Sequence, residues 1–133
     1  MRTGAILFIL VTLYVSGVIA RHRLGIAVVV RNQSQSVMRN PSVKVNPRGL
    51  RYPLPDLGPG QCSRVYVEAV GESSIDLEFI GARNVMTSEM LAGYVEPGYC
   101  GSATARLMPG GYLSVQDDTF RLVYWKSWLE FLM

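Results

Sequence analysis

Apolar and polar residues alternate with a period of two in several short segments of this chain. Residues 64–70 and 75–80 show the alternation most clearly, with aliphatic residues or phenylalanine at every second position. Gly- and Pro-rich turns interrupt the pattern roughly every ten residues, and no long amphipathic helix separates the segments. This pattern predicts an all-β fold of about seven to nine short strands, an antiparallel sandwich or barrel, of which we expect the β-sandwich.

The boundaries of several elements follow from the same pattern. We interpret residues 64–70 and 75–80 as a hairpin, since a short polar turn joins them. Residues 81–90 are interpreted as a loop, and residues 116–119 as a turn. Further strands are expected at 24–32 and 43–45, with a short extended piece at 48–54. Two or three more are expected over residues 90–115, broken at Pro97-Gly98 and Pro109-Gly111, and a last one at 120–125. One domain, residues 24–133, accommodates all of them.

An uncharged apolar segment, residues 4–20, precedes this domain, so residues 1–23 are expected to form a hydrophobic helix, either transmembrane or signal. Arg2 comes before the segment, and the basic residues Arg21, His22 and Arg23 follow it. One interpretation is a secretory signal cleaved near Ala20. The other is an uncleaved anchor that contacts membrane lipid through residues 4–20. The basic cluster favours the anchor, because positive charge tends to remain cytoplasmic.

Two stretches of the sandwich resemble a known family. The first is GIAVVVRNQSQSVMRNPSVKV, and the second is LPDLGPGQCSRVYVEAV. Together, over about residues 25–80, they are similar to bacterial immunoglobulin-like modules of secreted and surface proteins, of the cell-adhesion-related type. The shared elements are a strand ending in Asn32, a Val-rich strand at 43–45, and a corner at 57–60 leading into 64–70. The resemblance implies an Ig-like fold and a binding or spacer role.

Catalysis is not expected from the sequence. His22 is the only histidine and lies between two arginines, without a partner that would orient it as a base. Asp76 and Glu78 occupy one strand face, which we expect to be solvated. Asp117-Asp118 lacks the additional oxygen ligands that calcium needs. We therefore predict no enzyme activity, no metal and no cofactor.

Charge and cysteine content bear on the partners and the compartment. The net charge of +3 is spread along the chain, so no nucleic-acid partner is expected. If the domain is exported, Cys62 and Cys100 are candidates for a disulfide; if it is not, they are expected to be packed thiols.

Two aromatic groups are the candidate contact residues. Tyr94, Tyr99 and Tyr112 lie beside Gly/Pro turns and suit a surface on which a ligand stacks, or they pack over one end of the sandwich. Trp125 and Trp128 fall on one face of a C-terminal helical pattern. That face suits either a membrane interface or a cover for the sandwich.

These observations favour a non-catalytic interaction, adhesion or assembly module whose protein partner is unknown. It is expected to be membrane-anchored in a bacterial cell envelope, or periplasmic or secreted if it is cleaved near Ala20. The alternative is a small-ligand or carbohydrate-binding domain that uses the tyrosine-rich loops near Pro97-Gly98.

Overall fold

The computed structural model describes residues 2–121, which form one helix and eight strands. The side chains of residues 2, 18–24 and 121 are outside this description. The elements are α1 (Arg2–Leu24), β1 (Ile26–Asn32), β2 (Arg39–Asn46), β3 (Leu50–Pro53), β4 (Cys62–Val67), β5 (Ser73–Ile80), β6 (Met86–Val95), β7 (Tyr99–Leu107) and β8 (Leu113–Arg121).

The strands form two four-stranded sheets that pack against each other. Sheet 1 has the order β4-β1-β7-β8, and sheet 2 has the order β3-β2-β5-β6. The expectation of an all-β, sandwich-like fold after one N-terminal helix is confirmed at this level. The finer expectation that all strands pair antiparallel is wrong in sheet 1. There β1 and β7 run parallel, with Val28 opposite Ala103. Alternation of side chains is the same in parallel and antiparallel strands, so the sequence could not distinguish them.

The expected hairpin of residues 64–70 and 75–80 is wrong. β4 pairs with β1 in sheet 1, whereas β5 pairs with β2 and β6 in sheet 2. The connection between them therefore crosses from one sheet to the other, and Gly71 on it has a φ of 67°. Alternation identified the inward faces correctly, since Val67, Ile75 and Leu77 are fully buried. It carries no information about which strand is the neighbour.

Two segments that we expected to be irregular are strands. β6 begins at Met86, inside the segment interpreted as a loop, and β8 runs through residues 116–119 without a turn. The first half of β6, residues 86–90, is exposed throughout, so no buried alternate positions marked it as a strand. The turns at Pro97-Gly98 and Pro109-Gly111 are confirmed by hydrogen bonds from Tyr99 N to Glu96 O (3.0 Å) and from Gly111 N to Met108 O (2.9 Å).

The core lies between the two sheets and is built mainly from the inward positions of six strands, β1, β2, β4, β5, β6 and β7. Its members are β-branched and aliphatic side chains that share near-complete burial, including Ile26, Val28, Val30, Val43, Val45, Val67, Ile75, Leu77, Leu91, Val95, Ala103 and Ala105. Burial of a side chain of this size contributes about 1.5–3 kcal/mol, so this layer supplies most of the drive to fold.

One buried amide connects three parts of the sandwich. Asn32, at the end of β1, is fully buried, and its Nδ2 donates to Ser36 O (2.7 Å) and Leu57 O (2.8 Å). Its Oδ1 accepts from Ser34 N and Ser34 Oγ. Its backbone N–H donates to Gln61 O (2.9 Å), and its carbonyl accepts from Gly60 N (2.7 Å). Asn32 therefore joins the end of β1 to the loop after it and to the loop that leads into β4.

We predict that Asn32→Asp lowers the free energy of unfolding by about 2–4 kcal/mol at neutral pH. The substitution keeps the shape but turns two donated hydrogen bonds into contacts between a carboxylate and carbonyl oxygens. Gln33→Glu is the matched control: it makes the same amide-to-carboxylate change at the exposed neighbouring position. Urea unfolding of the two variants should show a change within about 0.5 kcal/mol for the control. Equal losses for both would contradict the role of Asn32.

Candidate functional site

Helix α1 exposes apolar side chains around its whole circumference. Ile6, Leu7, Phe8, Ile9, Leu10, Val11, Leu13 and Tyr14 are each more than half exposed, and Phe8 is 73% exposed. Successive residues of a helix are about 100° apart, so eight such residues cover every face. Large apolar surfaces of this kind normally mark a site of contact with a partner or with lipid.

The helix joins the sandwich at a tightly packed glycine. Gly25 has a φ of 75°, and a Cβ at this position would contact the backbone carbonyl of Val67 in β4. The close approach of two backbones therefore requires glycine here. Within residues 2–121 there is no helix whose length and apolar content are sufficient for it to cross a bilayer.

The three candidate tyrosines do not form one cluster. Tyr94 and Tyr99 are adjacent at the β6–β7 turn, with ring centroids 6.1 Å apart in an edge-to-face arrangement. Tyr112 lies before β8, at the other end of β7 from Tyr99. The eight residue-to-residue steps from Tyr99 to Leu107 correspond to roughly 27 Å. The expected grouping of all three is wrong, because the long strand β7 separates the two turns.

The hydroxyl of Tyr94 is occupied by a neighbour within the chain. It donates to Glu96 Oε2 at 3.0 Å, and this hydrogen bond to a carboxylate raises the pKa of Tyr94 above its ordinary value of 10.0. The ring is half exposed, at 50%. What remains for an external molecule is therefore the ring face rather than the hydroxyl.

A shallow groove of about 340 Å³ lies beside Tyr94, where the ends of β2, β5 and β6 meet. Its walls are Asn46, Pro47, Glu72, Ser73, Ser74, Gly93 and Tyr94. Several of its polar groups already have partners: Asn46 Nδ2 donates to Asp76 Oδ2 (2.7 Å), and Ser73 Oγ donates to Val70 O (3.1 Å). A sugar needs several convergent donors and acceptors, and this groove offers few of them.

The two cysteines lie at opposite ends of sheet 1. Cys62 is exposed and opposite Arg31, near the end of β1. Cys100 is buried and two positions before Ser102, which pairs with Ala27 near the start of β1. About six residues of strand, roughly 20 Å, separate them, whereas a disulfide needs Cα atoms within about 7 Å. A disulfide between them is therefore wrong for this fold.

The outward carboxylates of β5 are not simply solvated, as we expected. Glu78 is only 9% exposed and forms ion pairs with Arg51 and with Lys44, whose Nζ is 3.7 Å from Glu78 Oε1. The hydrogen bond and charge of Arg51, together with Lys44, hold the pKa of Glu78 below its ordinary value of 4.5, while burial opposes the shift. This trio crosses β3, β2 and β5 and ties the outer face of sheet 2 together.

Asp76, two positions before Glu78, has a different environment. Its Oδ2 accepts from Asn46, while its buried Oδ1 has no hydrogen-bond partner. Among residues 2–121, no three His, Cys, Asp or Glu side chains are close enough together to hold a metal ion. Trp125 and Trp128, the other candidate contact residues, lie outside the described residues.

A group of arginines, which the sequence did not predict, lies on the outer face of sheet 1. Parallel pairing of β1 with β7 puts Arg31 directly beside Arg106. Antiparallel pairing of β1 with β4 puts Arg64 beside Val29, two positions from Arg31 on the same face. Each arginine occupied an outward position in its own segment, which was the available signal. The order of strands, which groups them, could not be read from local alternation.

Glu78→Gln should lower the free energy of unfolding by about 1 kcal/mol at pH 7, because Arg51 is partly exposed and loses a charged partner. A lowered pKa stabilises the fold above the ordinary pKa of 4.5. This stabilisation is lost as the pH falls through the lowered pKa. The difference between wild type and variant should therefore close only below about pH 4.5. Glu89→Gln, at an exposed position on β6, is the control. A difference for Glu78→Gln that persists unchanged to pH 2 in denaturation curves would contradict the ion pair.

Comparisons with known proteins show the fold and no more. No protein-family model matches the sequence, and no curated protein matches it. Among solved structures, the chain is similar to the NMR structure of a protein from Eubacterium rectale, with a TM-score of 0.50 and 14% sequence identity. The match covers 74% of this chain and 93% of that one. At this level of identity the likeness concerns the arrangement of strands.

Proposed function

We propose that this chain is a non-catalytic interaction or assembly module that its N-terminal helix holds at a membrane. The observation that carries the proposal is the contrast between α1 and the sandwich. The sandwich encloses its own core, whereas α1 exposes large apolar side chains on every side. A helix that is apolar on every face is fully buried only in a medium that surrounds it, such as lipid. A docking groove on a partner would cover one face of it.

The proposed location is a bacterial cell envelope, where the Ig-like modules that the sequence resembles occur. Cleavage near Ala20, with release of the sandwich to the periplasm or the exterior, is the alternative. The mass of the protein from membrane and soluble fractions distinguishes the two. A chain beginning at Arg21 in the soluble fraction would overturn the anchored form.

The Ig-like assignment is part of the same proposal, and one contact supports it. The resemblance rests on Asn32 and on the corner at residues 57–60. In the fold, hydrogen bonds join these two motifs. Asn32 Nδ2 donates to Leu57 O, and Gly60 N donates to Asn32 O. The motif residues thus act together to set where β4 begins.

A non-catalytic role is supported by the chemistry of the candidate groups. The Glu78 carboxylate forms ion pairs with two basic side chains, and the Tyr94 hydroxyl donates a hydrogen bond to Glu96. The alternative of a small-ligand or carbohydrate site has the Tyr94–Tyr99 ring pair in its favour. That alternative is the weaker one, because the groove beside Tyr94 is shallow and several of its polar groups already have hydrogen-bond partners within the chain.

Flotation with neutral phosphatidylcholine vesicles tests the proposed role of α1. The full chain, purified in non-ionic detergent and freed of it in the presence of vesicles, should float with the lipid. Leu10→Asp places a charge in the middle of the apolar segment and costs about 3 kcal/mol on insertion. We therefore expect membrane partition to fall about 100-fold.

Val85→Asp is the matched control for Leu10→Asp. Val85 and Leu10 are similarly exposed, at 63% and 58%, but Val85 lies on the sandwich, before β6. The control variant should float as well as the wild type. Equal flotation of Leu10→Asp and the wild type would contradict membrane attachment through α1. So would a wild-type chain that stays in the lipid-free fraction at the bottom of the gradient.

A further inference from the structure

The outer face of sheet 1 has its positive charge concentrated at one end. Arg31 and Arg106 are direct neighbours across β1 and β7, and Arg64 is on the adjacent strand β4. Arg31 and Arg64 are exposed, and Arg106 is half-buried. Neighbouring strands are about 4.8 Å apart, so three guanidinium groups share a patch two strand spacings wide. We refer to Arg31, Arg64 and Arg106 as the arginine patch.

Among the described side chains of sheet 1, no carboxylate forms an ion pair with the arginine patch. The two ion pairs found between described side chains both involve Glu78, which lies in the other sheet. In sheet 1, Asp118 pairs with Ser102 and is four residues along β7 from the level of Arg106, roughly 13 Å away. Three like charges side by side repel one another, and an anionic partner relieves that repulsion.

Strand β4, which carries Arg64, is at an open edge of sheet 1. Its neighbour within the described part of the chain is β1, so one row of backbone N–H and C=O groups of residues 62–67 faces outward. Such an edge accepts an added strand from another chain. Tyr66, two positions from Arg64 on the same face and 44% exposed, offers an aromatic surface beside the charge.

We propose that the edge of β4 and the arginine patch form a docking surface for an extended acidic segment of a partner protein. The segment adds as a strand beside β4, and its acidic side chains lie on the outer face. From there they reach Arg64 on the adjacent strand and Arg31 on the next, while Arg106 strengthens the positive potential. This inference rests on the proposed function, whose protein partner it describes.

A second copy of this chain fits the surface less well. Among the described strands, the one with acidic residues at alternate positions is β5, with Asp76 and Glu78, and both of its edges are already paired, with β2 and with β6. The patch also lies at the opposite end of β1 from α1, about 17 Å along the strand. It is therefore separated from the point where α1 joins the sandwich, which favours a protein partner over the headgroups of a membrane that α1 contacts.

The test is a titration of the full chain in non-ionic detergent with a fluorescent ten-residue peptide of alternating Glu and Val. We expect saturable binding that weakens as salt is raised. The same peptide with Lys in place of Glu should not bind. Arg64→Gln should weaken binding about 10-fold, and Arg83→Gln, at an exposed arginine in the β5–β6 turn, should leave it unchanged. Equal binding to Arg64→Gln and wild type would overturn the proposal.

Strand addition has its own readouts. An acidic peptide with alternate backbone amides N-methylated keeps the charge but loses donors to the β4 edge, so we expect it to bind at least 10-fold more weakly. Cys62, exposed on β4 two positions from Arg64, should be alkylated more slowly when the unmodified peptide is bound. Equal binding of both peptides, or binding without protection of Cys62, would mean attraction by charge alone and would overturn strand addition.

The outcome of the titration is independent of membrane attachment. It is done in detergent solution, so failure to bind the peptide leaves the flotation result intact. A chain that does not float with vesicles can still be titrated with the peptide in the same way. The two proposals can therefore fail separately.

Discussion

The arrangement of sheet 1 depends on the buried amide of Asn32. Its side-chain amide donates hydrogen bonds to the carbonyls of Ser36 and Leu57. Its backbone forms hydrogen bonds with Gly60 and Gln61, immediately before β4. A buried polar group of this kind is costly unless its hydrogen bonds are made, so these bonds hold the two loops together. The held loops lead into β4 beside β1 in the observed register. That register sets the position of Arg64 relative to Arg31.

The chain divides into two parts with opposite relations to water. In the sandwich, β-branched and aliphatic side chains fill the space between two sheets, and the outer face of sheet 2 is tied by the Glu78 ion pairs. In α1, apolar side chains have no such partner over residues 6–14. Gly25 joins the two parts and lets the helix end close against β4. A rigid domain on an apolar helix is a reasonable design for a module that is held in place and meets its partners through strand edges and loops.

Local sequence predicted the inward faces but not the neighbours. The alternation around Val65 and Leu77 identified buried positions, and the turns at Pro97-Gly98 and Pro109-Gly111 were identified from their residues. The pairing of β1 with β7 depends on contacts between residues more than 70 positions apart, as in Val28 with Ala103. For that reason the hairpin of β4 and β5 and the disulfide were wrong, whereas the three-tyrosine cluster was wrong because the continuous strand β7 separates its two turns. The same limit concealed the arginine patch, whose members come from three separate segments.

If α1 is the part of the chain that contacts lipid and the sandwich folds without it, a membrane should protect the helix alone. Hydrogen exchange of the full chain, in detergent-free solution with and without neutral vesicles, measures this. We expect vesicles to slow amide exchange within residues 4–20 and to leave β1 to β8 unchanged, with the central strands β1, β2, β5 and β7 already the slowest. Protection spread over the strands, or no change within residues 4–20, would contradict it.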